Sequence, residues 1–355
     1  MKKSTLTFLF QLFVLLVFAQ APEDYYLSAY GKNKAQLKTA LYGIIKGHNV
    51  RSYADLWTDF QTTDKRADGK VWDMYSTCTF TFISKQCGNY SGVCDCYNRE
   101  HSFPKSWFDD ASPMYTDLFH LYPTDGYTNG RRSNYPFGEV GSVTWSGNNG
   151  SKLGSAKSGL GYSGTVFEPA DEYKGDFART YFYMVTRYDN VVASWYSNAE
   201  AKPTLNGTSY PAFTSWSQEM LLKWHRQDPV SEKETNRNNA VYGIQNNRNP
   251  FIDYPELAEY IWGNHKDDVW NLQTGTDCAK TIAFSLSPNP AETYIEISGN
   301  FPDEAIYTIY NLSGKRLLTN TLEKNISIEF LQNGMYLLEI QTENGRSIAK
   351  FIVNK

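Results

Sequence analysis

The sequence has no excess of positive charge, and it has few histidines and few cysteines. Its 355 residues carry 34 Lys and Arg against 38 Asp and Glu, a formal net charge of -4, with 5 His and 5 Cys. This acidic balance argues against a protein that coats nucleic acid non-specifically, because such coating needs a broad basic face. It does not exclude an enzyme, which needs only a local positive groove and a metal ion.

Long apolar runs are absent beyond the N-terminus. The stretch from Leu6 to Phe18 follows two lysines and precedes small residues at Ala19 and Ala21. This is the composition of a secretory signal peptide, and the run is too short for a comfortable membrane span. We expect residues 1–19 to be a signal peptide, cleaved after Ala19 or Ala21, and the exported protein to contain no integral membrane segment. An uncleaved N-terminal anchor is the alternative.

Export changes the interpretation of the cysteines. Cys78, Cys87, Cys94 and Cys96 lie close together, and Cys278 stands alone and is expected to be free. In an oxidising compartment, four neighbouring cysteines predict two disulfides. A Cys94–Cys96 bridge would be strained, which leaves Cys78–Cys94 with Cys87–Cys96, or Cys78–Cys96 with Cys87–Cys94. A four-thiolate zinc site is the alternative, but the spacing lacks paired Cys-x-x-Cys knuckles.

Two domains are expected from the length and the hydrophobic patterns. Residues 20–264 are rich in aromatics, Asn and Arg, and helical spacing predicts helices from Ala35 to Ile45, from Ala178 to Tyr188 and from Pro255 to Trp262. Residues 141–165 contain 7 Gly and 6 Ser, a fraction that predicts a long mobile loop without regular structure. Residues 265–283 are polar and are expected to be a linker.

Residues 284–355 show a different pattern, with period-two alternation in short runs. The runs start at Tyr294, Tyr307, Ile326 and Met335, and turn-forming dipeptides such as Asn333-Gly334 separate them. Strands of this length and spacing predict a small all-β, immunoglobulin-like sandwich.

The residues with the clearest chemistry lie between 98 and 134. Glu100 and His101 stand side by side, and Asn129 is followed by Arg131 and Arg132. Hydrolysis of a phosphodiester needs a base for water, oxygen ligands for a hard cation and positive charge for the phosphate. These five residues could supply all three.

This stretch resembles the bacterial endonuclease I family. The resemblance continues in family order through residues 167–169 and 174–184, and then through residues 228–251, which include Glu234 and Arg237. It implies an α+β nuclease domain built around a ββα-metal (His-Me) finger. It also implies a secreted, monomeric endonuclease that cuts with little sequence preference. DNA is the expected substrate, and RNA is the second candidate.

The resemblance implies a role for each matching residue. His101 would be the general base, Glu100 and Asn129 the protein ligands of one Mg²⁺ (or Ca²⁺ or Mn²⁺), and Arg132 a phosphate-contacting catalytic residue. The products would carry 5′-phosphate and 3′-hydroxyl ends. Substrate binding would fall to Arg131 and to Arg179, and the alternative for Arg179 is a pair with a carboxylate.

Three observations oppose these roles. Neighbouring residues of a strand face opposite ways, so one metal can reach both Glu100 and His101 only if the backbone twists. Asn129 precedes a glycine, as turn residues often do, and Asn134 is the fallback ligand. Relatives usually have His where this chain has Phe119, which could lower activity. His120 is expected to be a buried structural histidine.

The end of the chain resembles the C-terminal sorting domain of type IX secretion cargo in Bacteroidetes. The resemblance rests on residues 286–290, 310–314, 333–336 and 350–355. It implies the type IX secretion machinery as a partner, and a location outside the cell or on the outer-membrane surface. A carbohydrate-binding or adhesive sandwich is the structural alternative.

Two other functions compete with the nuclease. One is a weakly active or inactive, surface-held protein that binds nucleic acid as part of a matrix, which the acidic balance and Phe119 favour. The presence of Glu100, His101 and Asn129 together opposes it. The other is a phosphatase for small phosphoesters, whose sites usually hold two metals and more carboxylates.

Overall fold

The computed structural model describes residues 21–22, 24–271, 284–299, 301–302, 304–311, 316–342 and 345–355. The chain forms two compact units, and the first ends at Asn271. The predicted signal peptide and Cys278 lie outside the described residues. Residues 265–271 were expected to be part of a linker, but they belong to the first unit. Trp270 is 1% exposed there, and its backbone forms an antiparallel bridge with that of Lys32.

The first unit is a mixture of helices and short antiparallel strands. Its helices are α1 (Lys34–Ile45), α2 (Leu56–Thr63), α3 (Gly126–Arg132), α4 (Lys174–Arg187), α5 (Ser215–Gln227), α6 (Glu232–Gln245), α7 (Pro250–Asp253) and α8 (Leu257–Ile261). Its strands are β1 (Tyr97–His101), β2 (Leu121–Asp125), β3 (Val140–Ser146), β4 (Lys152–Ala156) and β5 (Thr165–Glu168). Short 3₁₀ helices occupy Leu27–Ala29, Lys105–Phe108, Met114–Thr116, Leu118–His120, Asp171–Tyr173 and Val192–Ser197.

Helix α4 is the centre of this unit. All its residues after Lys174 are buried, and it contacts α1, α5 and α7. A helix that is buried on every side can carry polar residues only where partners satisfy them. The predicted helices from Ala35, Ala178 and Pro255 are confirmed as α1, most of α4 and α8.

The prediction of a structureless loop over residues 141–165 is wrong. Strands β3, β4 and β5 form an antiparallel sheet in the order β3-β4-β5. Register shifts along β3 break the alternation that would have indicated a strand. Gly154 allows close strand approach, since a Cβ there would lie 2.0 Å from the carbonyl oxygen of Ser142.

The second unit is all-β, as predicted. Its strands are β6 (Phe284–Ser287), β7 (Tyr294–Gly299), β8 (Ile306–Asn311), β9 (Arg316–Thr321), β10 (Asn325–Ser327), β11 (Gly334–Thr342) and β12 (Gly345–Val353). They form two antiparallel sheets, in the orders β10-β7-β6 and β12-β11-β8-β9. Ile295, Ile309, Leu338, Ile340 and Phe351 are fully buried in one shared core. Within the described ranges, neither unit contains a helix long and apolar enough to cross a membrane.

Candidate active site

Two antiparallel strands and a short helix carry the predicted site residues. Strand β1 pairs with β2 so that Glu100 lies opposite Tyr122 and His101 opposite Leu121. Helix α3 begins directly after β2, where the Asp125 side chain accepts hydrogen bonds from the backbone nitrogen and hydroxyl of Thr128, each at 2.8 Å. This N-cap satisfies an otherwise unpaired helix donor. The arrangement is the strand–strand–helix order expected of the finger.

Glu100 lies on the face of β1 that is covered by protein. It is 3% exposed, its Oε1 accepts a hydrogen bond from the Tyr75 hydroxyl at 2.8 Å, and the same oxygen pairs with Arg132 Nη1 at 3.2 Å. Burial raises the pKa of Glu100, while the charge of Arg132 lowers it. Tyr75 and Arg132 both contact Oε1, so Oε2 is the carboxylate oxygen that neither of them occupies.

Asn129 belongs to α3 and not to a turn. Its amide nitrogen donates to Asn98 Oδ1 at 2.7 Å, which orients the amide group. Its own Oδ1 accepts no hydrogen bond in the part of the chain that the structure describes. Asn98 and Glu100 are two residues apart on β1, so they share a strand face, and that face meets the helix. The two predicted metal ligands therefore lie on the same side of the strand.

His101 lies on the other face of β1. It is 6% exposed, and its ring stacks near Tyr53 and Tyr115, with centroid distances of 6.1 and 5.2 Å. His101 Nε2 lies 3.0 Å from the carbonyl oxygen of Tyr115. A carbonyl only accepts, so Nε2 carries the proton and Nδ1 keeps its lone pair.

The surroundings of His101 favour the neutral imidazole. Burial is the largest cause that holds the pKa of His101 well below its ordinary value of 6.5, and the neighbouring His120, Lys105 and Arg99 act in the same direction. A neutral ring with a free Nδ1 is the form that a general base requires.

Arg132 occupies a different position from the one expected. It is 1% exposed, and besides Glu100 it donates to the carbonyl oxygens of His101 at 3.1 Å and Ser102 at 2.5 Å. A phosphate contact would require an accessible guanidinium. In this structure Arg132 instead holds the carboxylate of Glu100 and the backbone that carries His101.

The other two predicted substrate-binding arginines differ from each other. Arg179 is fully buried and makes a two-pronged pair with Glu234, at 2.5 and 2.7 Å, which is the carboxylate alternative for this residue. Arg131 is exposed, and its guanidinium lies 5.6 and 5.9 Å from the ring centres of Tyr127 and Trp145. Only Arg131 of the two is placed where a substrate could reach it.

Two disulfides close the segment that precedes β1. They join Cys78 to Cys94 and Cys87 to Cys96, which is the first of the two pairings left open by the sequence. The same segment packs on α3, because a Cβ at Gly130 would lie 2.2 Å from the hydroxyl of Tyr90. The glycine after Asn129 thus serves helix packing.

Phe119 and His120 are both core residues. Phe119 is 1% exposed, and its ring centre lies 4.6 Å from that of Tyr183. His120 is fully buried, with Nε2 2.7 Å from the carbonyl oxygen of Met114, which confirms the expected structural histidine. A phenylalanine at position 119 therefore fills the core.

Sequence reasoning missed the residues that support the site. Asn98 orients Asn129, Tyr75 binds Glu100 and the backbone of Tyr115 fixes the tautomer of His101. The alternation of side chains along β1 could have placed Asn98 on the same face as Glu100, because the two are two residues apart. The sequence carries no signal for Tyr75 and Tyr115, which reach the site only through folding.

The predicted ligand set contains one carboxylate and one amide. Within the described residues, no cluster of three or more His, Cys, Asp or Glu side chains could hold a metal. A site made of Glu100 and Asn129 would not appear as a cluster of this kind, because asparagine is not one of those four residue types. Its carboxylate and amide oxygens match the preference of a hard cation that keeps several waters.

Comparison with known proteins decides the family. Residues 33–256 match Endonuclease I. The chain belongs to the endonuclease I family. The extracellular ribonucleases of Bacillus amyloliquefaciens and Bacillus subtilis are 38% and 36% identical to it, each over 68% of this chain and 78% of the relative. An extracellular deoxyribonuclease of Aeromonas hydrophila is 25% identical, over 41% of this chain and 52% of the relative.

This endonuclease I family member is therefore a secreted nuclease. Residues 285–354 match the secretion system C-terminal sorting domain, which confirms the second unit as a sorting module for the secretion machinery and not an adhesive sandwich. The family membership also favours an enzyme over a non-catalytic matrix protein.

Proposed function

We propose that the protein is a metal-dependent endonuclease that hydrolyses phosphodiester bonds in DNA and RNA, with His101 as general base. The observation that carries the proposal is the contact between His101 Nε2 and the Tyr115 carbonyl oxygen at 3.0 Å. It leaves Nδ1 as the unprotonated nitrogen of an imidazole that is neutral at neutral pH.

Glu100 and Asn129 would hold the divalent cation. Tyr75 and Arg132 hold Glu100 through Oε1, and Asn98 holds Asn129 through its amide nitrogen, so Glu100 Oε2 and Asn129 Oδ1 are the atoms we assign to the metal. A Mg²⁺ ion bound there would neutralise charge on the scissile phosphate and the departing oxygen. Fixed neighbours reduce the ordering cost of binding it.

The reaction is a displacement at phosphorus. Nδ1 of His101 takes a proton from water as the water oxygen forms a bond to phosphorus. The bond from phosphorus to the 3′ oxygen breaks, and that oxygen is protonated from solvent. The products carry 5′-phosphate and 3′-hydroxyl ends.

Glu100 and His101 lie on opposite faces of β1, so the scissile phosphate must lie where side chains from both faces can reach it. His101 is the last residue of the strand. We therefore place the scissile phosphate at this end of β1, with Arg132 behind it. Arg132 binds the Glu100 carboxylate and the His101 carbonyl, and this double contact keeps the two faces in a fixed relation.

The relatives support RNA as a substrate beside DNA. The two relatives at 38% and 36% identity are named extracellular ribonucleases, and the Aeromonas hydrophila relative at 25% is named a deoxyribonuclease. Phosphate contacts carry no base sequence, so we expect little sequence preference.

The test is cleavage of plasmid DNA and of a structured RNA by purified, oxidised protein. Reactions would contain Mg²⁺, Ca²⁺, Mn²⁺ or EDTA, and end-labelling would identify the termini. We expect metal-dependent cleavage that leaves 5′-phosphates and that falls at least about a hundredfold in His101→Ala. His265→Ala is the matched control, because His265 is exposed and its ring contacts Asp268 and Tyr260 and none of the predicted site residues. Full activity in EDTA would contradict the metal, and full activity of His101→Ala would contradict the base.

A further inference from the structure

The face of β1 that carries His101 has a second feature, to which the reaction described above assigns no contact with substrate. Arg99 and His101 are two residues apart and share a face of the strand. Around them lie four half-buried side chains from three other segments: Tyr53, Trp57, Lys105 and Tyr115. We name Tyr53, Trp57, Arg99, Lys105 and Tyr115 the cation–aromatic strip.

The strip is continuous from one end to the other. The Arg99 guanidinium lies 3.5 Å from the ring centre of Tyr53 and 4.3 Å from that of Trp57. The rings of Tyr53 and Tyr115 are 4.7 Å apart, and Lys105 Nζ lies 5.5 Å from the ring centre of Tyr115. Two cations and three rings thus surround the side of His101.

Arg99 differs from the buried arginines of the same unit. Arg132, Arg179 and Arg237 each pair with a carboxylate. Across the described ranges Arg99 pairs with none, and its Nη1 donates to the Tyr53 carbonyl oxygen at 2.7 Å. Its remaining N–H groups are left for an anion, and a guanidinium binds phosphate well.

The rings suit a base that is not already paired. Base–aromatic stacking tolerates any sequence because every base has a π-face. In a duplex both faces of a base are covered by its neighbours, and exposing one requires unstacking. Aromatic side chains beside the reacting histidine can therefore help a single strand more than a duplex.

We propose that the cation–aromatic strip is a binding site for single-stranded nucleic acid, with Arg99 on a phosphate next to the scissile one and the rings on the adjoining base. The inference rests on the proposed function, because it assumes that the scissile phosphate lies beside His101. It assigns to Arg99 the phosphate contact that Arg132 is too buried to make.

The test compares one short sequence offered as a single strand and as a duplex. The variants are Trp57→Leu and Arg99→Gln, since neither side chain is assigned a step in the reaction. Arg226→Gln is the matched control: Arg226 lies on α5 and pairs with Glu259 at the surface. Thermal melting would show that each variant folds.

We expect wild type to have a higher kcat/KM on the single strand. Trp57→Leu should reduce that value about tenfold, within the range measured for stacked bases, and change the duplex value less than about threefold. In EDTA, the log–log slope of single-strand affinity against salt should become less steep by about 0.7 in Arg99→Gln, as for the loss of one phosphate contact. Arg226→Gln should match wild type in both.

The result separates the two proposals. If wild type cleaves and needs His101, but Trp57→Leu and Arg99→Gln affect single strand and duplex equally with an unchanged salt slope, the strip is structural and the inference fails alone. If wild type cleaves neither substrate, or His101→Ala cleaves as well as wild type, the proposed function fails.

Discussion

The two faces of strand β1 differ in chemistry. One face presents Asn98 and Glu100 to α3, with amide and carboxylate oxygens held by neighbouring side chains. The other presents Arg99 and His101 to aromatic rings, and each of these two side chains contacts a backbone carbonyl oxygen, of Tyr53 and of Tyr115. The difference shows that two neighbouring residues of a strand can serve different functions at one site. Their side chains point to opposite faces, while the shared backbone keeps them close together.

On this comparison, the first face is for the cation and the second for the base and substrate. Changes on the first face should alter metal dependence, and changes on the second should alter proton transfer or substrate choice. A change on one face that altered the property assigned to the other face would contradict the comparison.

The largest effect is expected from Glu100→Gln. Loss of the charge should lower cleavage about a hundredfold or more and raise the metal concentration required, and it leaves Arg132 buried without its counter-charge. Removing one partner of a buried pair typically costs about 3–5 kcal/mol of stability. Thermal unfolding and cleavage across a Mg²⁺ titration would measure the two effects.

Glu234→Gln is the matched control for that variant. Glu234 pairs with the fully buried Arg179, so the change removes a buried carboxylate charge outside the finger, and Asp176 remains 3.6 Å from Arg179. It should cost some stability and leave the metal requirement of the folded protein unchanged. An equal shift in metal requirement for Glu100→Gln and Glu234→Gln would contradict a ligand role for Glu100.

A smaller effect is expected from Asn98→Ala. The variant removes the acceptor that orients the Asn129 amide. Loss of such an outer partner typically costs about 10- to 100-fold in metal affinity or activity. We expect weaker Mg²⁺ binding by calorimetry with an unchanged pH profile, and a normal Mg²⁺ affinity would show that Asn129 does not depend on Asn98.

The smallest effect is expected in the pH dependence. The folded-state pKa of His101 is depressed below 6.5, so the base stays neutral as the pH falls through that value and loses its lone pair only below it. The acid limb of kcat/KM should therefore lie below pH 6.5. In Lys105→Gln it should move to higher pH, because one of the charges that lower the pKa is gone. A limb above pH 6.5 in wild type would contradict the assignment of His101.

Much of the fold could be predicted from local patterns. The spacing of apolar residues located α1 and α4, and period-two runs located the strands of the second unit. Residues 141–165 were missed because Gly154 and the bulges of β3 serve a close strand approach that alternation does not reveal. Composition alone could not distinguish that sheet from a loop.

The candidate site divides in the same way. The motif selected Glu100, His101 and Asn129 as candidate site residues. What an arginine can contact depends on its burial, and burial is a property of the folded chain. Arg132 and Arg179 are buried, and each pairs with a carboxylate. Arg99 was not selected from the sequence, because the reason to select it is its position beside His101 in the folded chain. Contacts through backbone carbonyls, such as that of Tyr115, leave no trace in the sequence.

The central claim is the division between the base on one face of β1 and the metal on the other. Its most direct test is calorimetric Mg²⁺ binding measured beside single-turnover cleavage in His101→Ala and Asn129→Ala. We predict that His101→Ala binds Mg²⁺ like wild type but cleaves at least about a hundredfold more slowly, and that Asn129→Ala binds Mg²⁺ more weakly. Wild-type cleavage by His101→Ala, or wild-type Mg²⁺ affinity in Asn129→Ala, would contradict the account.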